Sequence, residues 1–378
     1  MLDKELPRII ITTAGFGDGH NSAADNIAEA LEPHAEVEVV DPCALGSPRL
    51  NSKLRSFYRC ITTHAPRLWY RIYRSVEKHD FSKAKFPFMR KPENSLNDII
   101  MSFEPHAIVS TYPLYPYYIE RSFSKGAPRV PVFTVVTDSI EINAAWRDAP
   151  TDYFLVTDEF TKKSLLSNGV DVKKVIVTGF AVHPRFTKLK SGPSYDSQAA
   201  FKVLYFPTAK KPIIRRIMRA ILDNKDAETE ITVVLGRNVR KLYDRVREIQ
   251  LKYPGRVQIK GWTRRVPELL SSHHLVIGKA GGATVHETIA AACPMFIHHL
   301  VPGQEEGNLT LLEKIEGGRY TETPEDIKTA ISDILKDDAA LWRKMKYNLT
   351  QHAKPAGSTA SAQFILNTLK NFDHDLSI

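Results

Sequence analysis

The sequence predicts an α/β protein built from two parallel-sheet domains, and three observations carry that prediction. Short β-branched apolar runs alternate with helical stretches along the whole chain, as parallel strands buried by helices on both faces require. The alternation pauses once, at residues 188–199, where Ser-Gly-Pro-Ser marks a linker. At 378 residues the chain is also long enough for two full cores.

The strands of the first half are expected at 8–13, 37–40, 107–111, 130–137, 153–156 and 175–178. Those of the second are expected at 203–206, 231–235, 257–260, 275–277 and 294–297. The domains then span 1–187 and 200–355, with a helical tail at 356–378. After the first strand comes the turn Ala14-Gly15-Phe16-Gly17-Asp18-Gly19-His20-Asn21, then a helix with Ala24, Ile27, Ala28 and Leu31 at i, i+3, i+4 and i+7. Strand, glycine turn and helix make half a nucleotide-binding unit. The turn lacks the third glycine of the dinucleotide fingerprint, and Asp41 runs into Pro42, so a nicotinamide cofactor is not expected. His20, at a glycine-lined helix mouth, is placed for proton transfer; the competing reading is that it caps its helix or its turn.

Composition excludes several classes. Apolar content of 43% and charged content of 25% belong to an ordinary globular chain. Cys43, Cys60 and Cys293 are scattered without metal-ligand spacing, which points to a reducing compartment and neither a disulfide framework nor a zinc site. The first residues run straight into a strand, so no signal peptide is expected, and no run of about 18 uncharged apolar residues would span a membrane. The net charge is +9, and residues 49–91 alone account for it, with twelve Lys or Arg against Glu77 and Asp80. The same stretch holds eight aromatics, among them Phe57, Trp69, Tyr70, Tyr73 and Phe88. Basic plus aromatic composition suits a membrane interface, with Arg67, Trp69, Tyr70, Arg71 and Tyr73 as candidates. It also suits nucleic acid, or a solvated helix covering an ordinary core.

The densest chemistry lies at 278–308. The run Leu275-Val276-Ile277 turns through Lys279-Ala280-Gly281-Gly282 into a helix of small residues carrying Ala283, Thr284 and Glu287. A glycine turn at a helix mouth aims backbone N–H groups outward, a ready site for phosphate. The exit of the next strand carries Gln304, Glu305 and Asn308, groups that hold sugar hydroxyls. Phosphate and hydroxyls together describe a nucleotide sugar.

Two segments, G-G-x-T-x-x-E (Gly281, Gly282, Thr284, Glu287) and P-G-Q-E-x-G-N (Pro302, Gly303, Gln304, Glu305, Gly307, Asn308), resemble the donor signature of a family 28-type glycosyltransferase. The likeness is to its diacylglycerol branch, the monogalactosyldiacylglycerol synthases and processive diacylglycerol glucosyltransferases. The G-x-G-H turn resembles the family's acceptor segment, which implies His20 as catalytic base with Gly19 and Asn21 at the acceptor. Thr137-Asp138 with Trp146 resembles the family's TD…W segment, with Asn143 near the place of its usual histidine. Asp138 would orient His20 or cap the turn that follows. Residues 179–186, GFAVHPRF, resemble the interdomain hinge, with Ala181 replacing a proline. Gly236-Arg237-Asn238 matches a G-x-N turn, and Gly261-Trp262 resembles a segment contacting uracil, although Trp262 fits core packing as well. The chain departs from the family at Phe206-Pro207-Thr208-Ala209-Lys210-Lys211-Pro212, which lacks the usual glycine-rich loop. Thr208 and Lys211 would meet the diphosphate by hydroxyl and charge instead.

The resemblance implies a GT-B architecture, two Rossmann-like domains facing across a cleft, with a last helix, 360–371, returning to the first domain. It implies an inverting, metal-independent transfer from UDP-glucose or UDP-galactose to diacylglycerol, without a cofactor, metal or nucleic-acid partner. Lys279 and the Gly281–Thr284 backbone would hold the diphosphate, Glu287 the ribose, and Gln304, Glu305 and Asn308 the hexose. The protein would sit peripherally on the anionic inner face of the cell membrane. A polyprenyl-linked acceptor, or a non-catalytic binder on the same scaffold, are the competing readings.

Overall fold

The computed structural model describes residues 6–77, 79–81, 86–190, 192–208 and 211–375. Twelve strands form two six-stranded sheets, every pairing parallel. The first sheet holds β1 (Arg8–Thr12), β2 (Glu36–Val40), β3 (Ala107–Ser110), β4 (Val132–Val135), β5 (Tyr153–Val156) and β6 (Val175–Val177), in the order β2-β1-β3-β4-β5-β6. The second holds β7 (Phe201–Tyr205), β8 (Thr229–Val234), β9 (Val257–Lys260), β10 (Leu275–Lys279), β11 (Met295–His299) and β12 (Gly318–Tyr320), in the order β12-β11-β10-β7-β8-β9. Continuous apolar runs rather than alternation mark the central strands, because helices cover both faces: Ile9, Ile10, Ile11, Leu275, Val276 and Ile277 are all fully buried. All eleven expected strands are present. β12 was missed, since three residues containing Gly318 and Arg319 carry no apolar signature.

In each sheet the chain leaves its starting strand toward one edge and resumes on the other side. The reversal falls between β1 and β3 in the first sheet and between β7 and β10 in the second. In open parallel sheets the crevice at the carboxyl ends of such strands is where ligands bind.

The chain divides into two compact units: Met1–Pro184 with Pro302–Gly307 and Ala356–Ile378, and Arg185–Val301 with Asn308–Pro355. The sequence reading had placed Pro302–Gly307 wholly in the second domain. Within the first unit, the terminal helix Gly357–Asp375 packs on the sheet. Phe364 sets its ring edge-on to Phe133 and Tyr153, 6.2 and 5.1 Å between centroids, and Ser361 Oγ donates to Thr178 Oγ1 at 3.0 Å. The helix begins at glycine because a Cβ on Gly357 would lie 1.9 Å from the Phe180 carbonyl. In the second unit, Lys346 Nζ donates to the Gly192 and Pro193 carbonyls, fastening part of the expected linker.

Candidate active site

In the first unit the glycine turn after β1 delivers His20 to the strand ends. Gly17 takes φ +113°, a left-handed conformation that favours glycine, and the helix Asp18–Leu31 starts directly after it. Gly19, His20 and Asn21 therefore occupy the first helical turn. Asn21 Oδ1 accepts from Thr13 Oγ1 at 2.9 Å, tying the turn to the end of β1. His20 is buried, 8% exposed, and its ring does not cap the helix. Nδ1 lies 3.0 Å from Thr137 Oγ1, the direction of that hydrogen bond depending on the tautomer, and the His20 carbonyl accepts from Thr111 Oγ1 at 3.1 Å. The ring stands edge-on to Tyr112 at 5.3 Å and tilts against Trp146 at 6.0 Å. Burial lowers its pKa to about 4, with a backbone hydrogen bond to Thr111 working the other way, so the imidazole is neutral at neutral pH.

Asp138 corrects the sequence reading. It accepts from Trp146 Nε1 at 2.8 Å, and the hydroxyl bonded to the His20 ring is that of Thr137. Burial raises the Asp138 pKa to about 6, with the Trp146 hydrogen bond opposing and the charge of Glu305 adding to the rise. Asp138 is thus a wall residue. Asn143 caps the short helix Ala144–Arg147, its side chain accepting from the Trp146 amide, which holds that tryptophan in place.

His20, Asp138, Asn143 and Gln304 share one cavity of about 330 Å³ whose remaining lining is mostly aromatic and aliphatic. The helices Pro48–His64 and Pro66–Val76 form one wall. From the first come Leu54, Phe57 and Tyr58; from the second come Trp69, Tyr73 and Val76, at i, i+4 and i+7. Here the expected interfacial group splits in two. Trp69 and Tyr73 face the cavity, while Arg67, Tyr70 and Arg71 lie on the outer face, beside Arg74 and the exposed Leu68 (52%) and Ile72 (38%). Phe57 and Phe88 belong to the lining and are also more than half exposed, so the cavity has an apolar lip. Among the described residues no helix is long and apolar enough to cross a membrane.

The segment Pro302–Gly307 is fitted tightly within the first unit. Gly303 sits at φ +80° with a Cβ position only 2.6 Å from Tyr73 Cδ1, and a Cβ on Gly307 would lie 1.9 Å from the Ser139 carbonyl. The glycines of P-G-Q-E-x-G-N are therefore there for close approach. Tyr58 Oη donates to Gln304 Oε1 at 2.8 Å, and Glu305 is buried with its charge acting on Tyr58 and Asp138.

In the second unit every other donor candidate follows the carboxyl end of a strand: Thr208 after β7, Arg237 and Asn238 after β8, Gly261 and Trp262 after β9, Gly281 to Glu287 after β10, and Asn308 after β11; Lys279 is the last residue of β10. The helix Gly282–Ala290 has Gly281 as its N-cap and no side-chain cap, so its first amides are left for a ligand. Glu287, one turn in, has no partner among the described residues, and burial alone raises its pKa to about 7. Asn308 Nδ2 donates to the Ala280 carbonyl at 3.1 Å, while its Oδ1 has no partner among the described residues. Thr208 Oγ1, Tyr205 Oη and His298 Nε2 are likewise buried and without a partner among the described residues. Such atoms cost about 1–3 kcal/mol each, a penalty that ligand hydroxyls and phosphates relieve. Trp262 is 54% exposed, with the Arg264 guanidinium 5.6 Å from its ring, which removes the core-packing reading. Arg237 and Asn238 are exposed, and Lys211 opens the helix Lys211–Leu222; its side chain, like Ala209 and Lys210, lies outside the described residues.

Sequence reasoning missed Thr137 as the partner of His20, Tyr58 and Tyr112 as cavity residues, and Tyr205 and His298 below the donor loops. Thr137 was itself the first residue of a quoted motif but was given no role; the others had no motif to mark them.

Two sheets of this order, each with its candidate residues at the carboxyl ends of the strands, make the GT-B fold. Solved structures share that fold: MurG of Acinetobacter baumannii at a TM-score of 0.62 and 14% identity, covering 96% of this chain and 99% of that one. S. aureus MnaA, in a UDP co-structure, gives 0.60 and 13%, with 98% and 97% covered. Residues 20–182 match the family model of monogalactosyldiacylglycerol (MGDG) synthase. Along the chain, the processive diacylglycerol beta-glucosyltransferase of Bacillus pumilus (strain SAFR-032) is 26% identical, with 93% of each chain covered. The chloroplastic monogalactosyldiacylglycerol synthase of Spinacia oleracea is 25% identical, with 94% of this chain and 71% of its own covered. Over most of its length the chain is thus similar to diacylglycerol glycosyltransferases, and over residues 20–182 to the MGDG synthase model.

Proposed function

We propose that the protein transfers a hexose from UDP-glucose or UDP-galactose to the free hydroxyl of diacylglycerol, with inversion, without a metal, and at a membrane surface. The observation that carries this reading is the cavity of the first unit: a neutral buried histidine and a few polar groups set in an otherwise apolar lining with an exposed apolar lip. That arrangement suits a glycerol hydroxyl attached to hydrocarbon chains.

In the proposed step the acceptor oxygen attacks the anomeric carbon while its proton passes to Nε2 of His20. The bond from that carbon to the diphosphate breaks, and its electron pair leaves on UDP. For Nε2 to be free, Nδ1 must carry the ring hydrogen and donate to Thr137 Oγ1. The leaving diphosphate gains charge, which the free amides of the Gly282–Ala290 helix and the lysines Lys279 and Lys211 neutralise in place of a metal. Glu287 takes the ribose hydroxyls, while Gln304, Glu305 and Asn308 take the hexose. The outer face of Pro66–Val76 lies on an anionic inner leaflet, each arginine contributing about 1 kcal/mol, and the lip admits the lipid from the bilayer.

The test uses purified protein, vesicles of diacylglycerol with an anionic phospholipid, and each UDP-sugar separately. UDP release that requires diacylglycerol, and a β-linked product from the α-linked donor by NMR in the presence of a chelator, are expected. UDP release only with a polyprenyl phosphate acceptor would replace the acceptor; none with any acceptor would sink the enzymatic reading.

A further inference from the structure

Gln304 lies in a cavity otherwise devoted to the acceptor, and a carboxamide there can turn either its oxygen or its nitrogen toward a ligand. The Tyr58 hydroxyl meets the oxygen. It donates to Gln304 Oε1 at 2.8 Å, and among the described residues nothing engages Nε2. The Tyr58 ring packs edge-on to Trp69 at 5.1 Å and to Phe16 at 6.4 Å. The Gln304 backbone is fixed as well, with Tyr73 filling the space above Gly303 and the Ser139 carbonyl that above Gly307.

We propose that Tyr58 is a positioning residue that holds the Gln304 carboxamide with its NH2 group presented, so that Gln304 meets the hexose as a hydrogen-bond donor to one of its oxygens. The proposal rests on the reading that Gln304 holds the sugar, and it adds a residue and a polarity to that reading. Burial, with the carboxylates of Glu305 and Asp138 close by, holds the hydroxyl well above its ordinary pKa, so it keeps its proton over the working pH range and remains a donor. Because the same ring forms part of the cavity wall, the wall that receives the acceptor also sets the sugar's partner.

The test compares Tyr58→Phe, Gln304→Ala and the double variant, each by KM for the preferred UDP-sugar and by KI for UDP, which carries no hexose. Tyr58→Phe is expected to raise KM about five- to tenfold, the effect of one lost hydrogen bond, and to leave KI for UDP unchanged. In the Gln304→Ala background the Tyr58 change is expected to have no further effect on KM. Equal losses for UDP and UDP-sugar, or a Tyr58 effect that persists without Gln304, would overturn the proposal. An unchanged KM in Gln304→Ala would instead show that Gln304 does not hold the sugar, and the proposal would fall with that reading.

Discussion

Thr137 and His20 face each other across the first unit with 3.0 Å between Oγ1 and Nδ1, both residues buried. Thr137 lies in the loop that follows β4, whereas His20 lies in the first turn of a helix more than a hundred residues earlier, so the fold itself brings the hydroxyl to the ring. Thr137→Val keeps the shape and removes the hydroxyl. It is expected to lower kcat about tenfold with KM for UDP-sugar unchanged, and Thr137→Ser is expected to restore most of the loss. Steady-state kinetics of the three proteins check this, and a KM effect without a kcat effect would argue against it.

Removing the proposed base is expected to be more severe. His20→Ala should lose about 10² to 10⁴ in kcat while binding UDP as the unaltered protein does, measured by calorimetry. Turnover near the starting level would take the proton-transfer role from His20.

The same histidine links stability to pH. Its pKa is about 4 when folded and 6.5 in the ordinary state, so the unfolded chain binds more protons between those values. Stability is therefore expected to fall as pH drops from 6.5 toward 4. His274 and His298, also lowered to about 4 by burial, act with the same sign. Thermal melts at pH 7 and pH 5 should show a smaller acid loss in His20→Gln than in the unaltered protein, and an equal loss would contradict the assignment.

Glu287 titrates in the opposite sense. With a pKa raised to about 7, it ionises across neutral pH, and the ionised carboxylate is the better acceptor for ribose hydroxyls. Affinity for UDP is expected to strengthen as pH rises from 6 to 8. Glu287→Gln should flatten that dependence and weaken binding at pH 8 by about tenfold. Titration calorimetry at three pH values reads both effects.

For the outer face of Pro66–Val76, replacing Arg67, Arg71 and Arg74 together by alanine is expected to weaken binding to anionic vesicles about a hundredfold at low salt. The difference should shrink as salt is raised. Cosedimentation with neutral and anionic vesicles measures it; undiminished binding would move the docking surface elsewhere.

Much of this was legible in the chain, for physical reasons. Buried parallel strands are continuous apolar runs, which is why Ile9 to Ile11 and Leu275 to Ile277 declared themselves. The glycines at 303 and 307 were legible because their motif encodes close backbone approach. Side chains that act by position were not. Thr137 differs from any buried threonine only by lying opposite His20, and Tyr58 differs from its aromatic neighbours only by where its hydroxyl ends. The division of Trp69 and Tyr73 from Tyr70 could be counted on a helical period, but which face meets a cavity is settled by the partner helix. That Gln304 counts with the first unit followed from no local pattern.

The terminal helix has a consequence for the order in which the protein is made. Phe364 completes an aromatic cluster with Phe133 and Tyr153, and Ser361 bonds to Thr178, so residues synthesised after the second sheet finish a core whose strands are synthesised before it. Contacts of such long sequence separation form late. During translation the first sheet must wait, one helix short, while the whole second sheet is made and can fold on its own. A ribosome-bound chain ending at residue 355 should therefore protect the second unit from protease before the first, and addition of the last turns of helix should bring the histidine-bearing unit to its final stability in a single step.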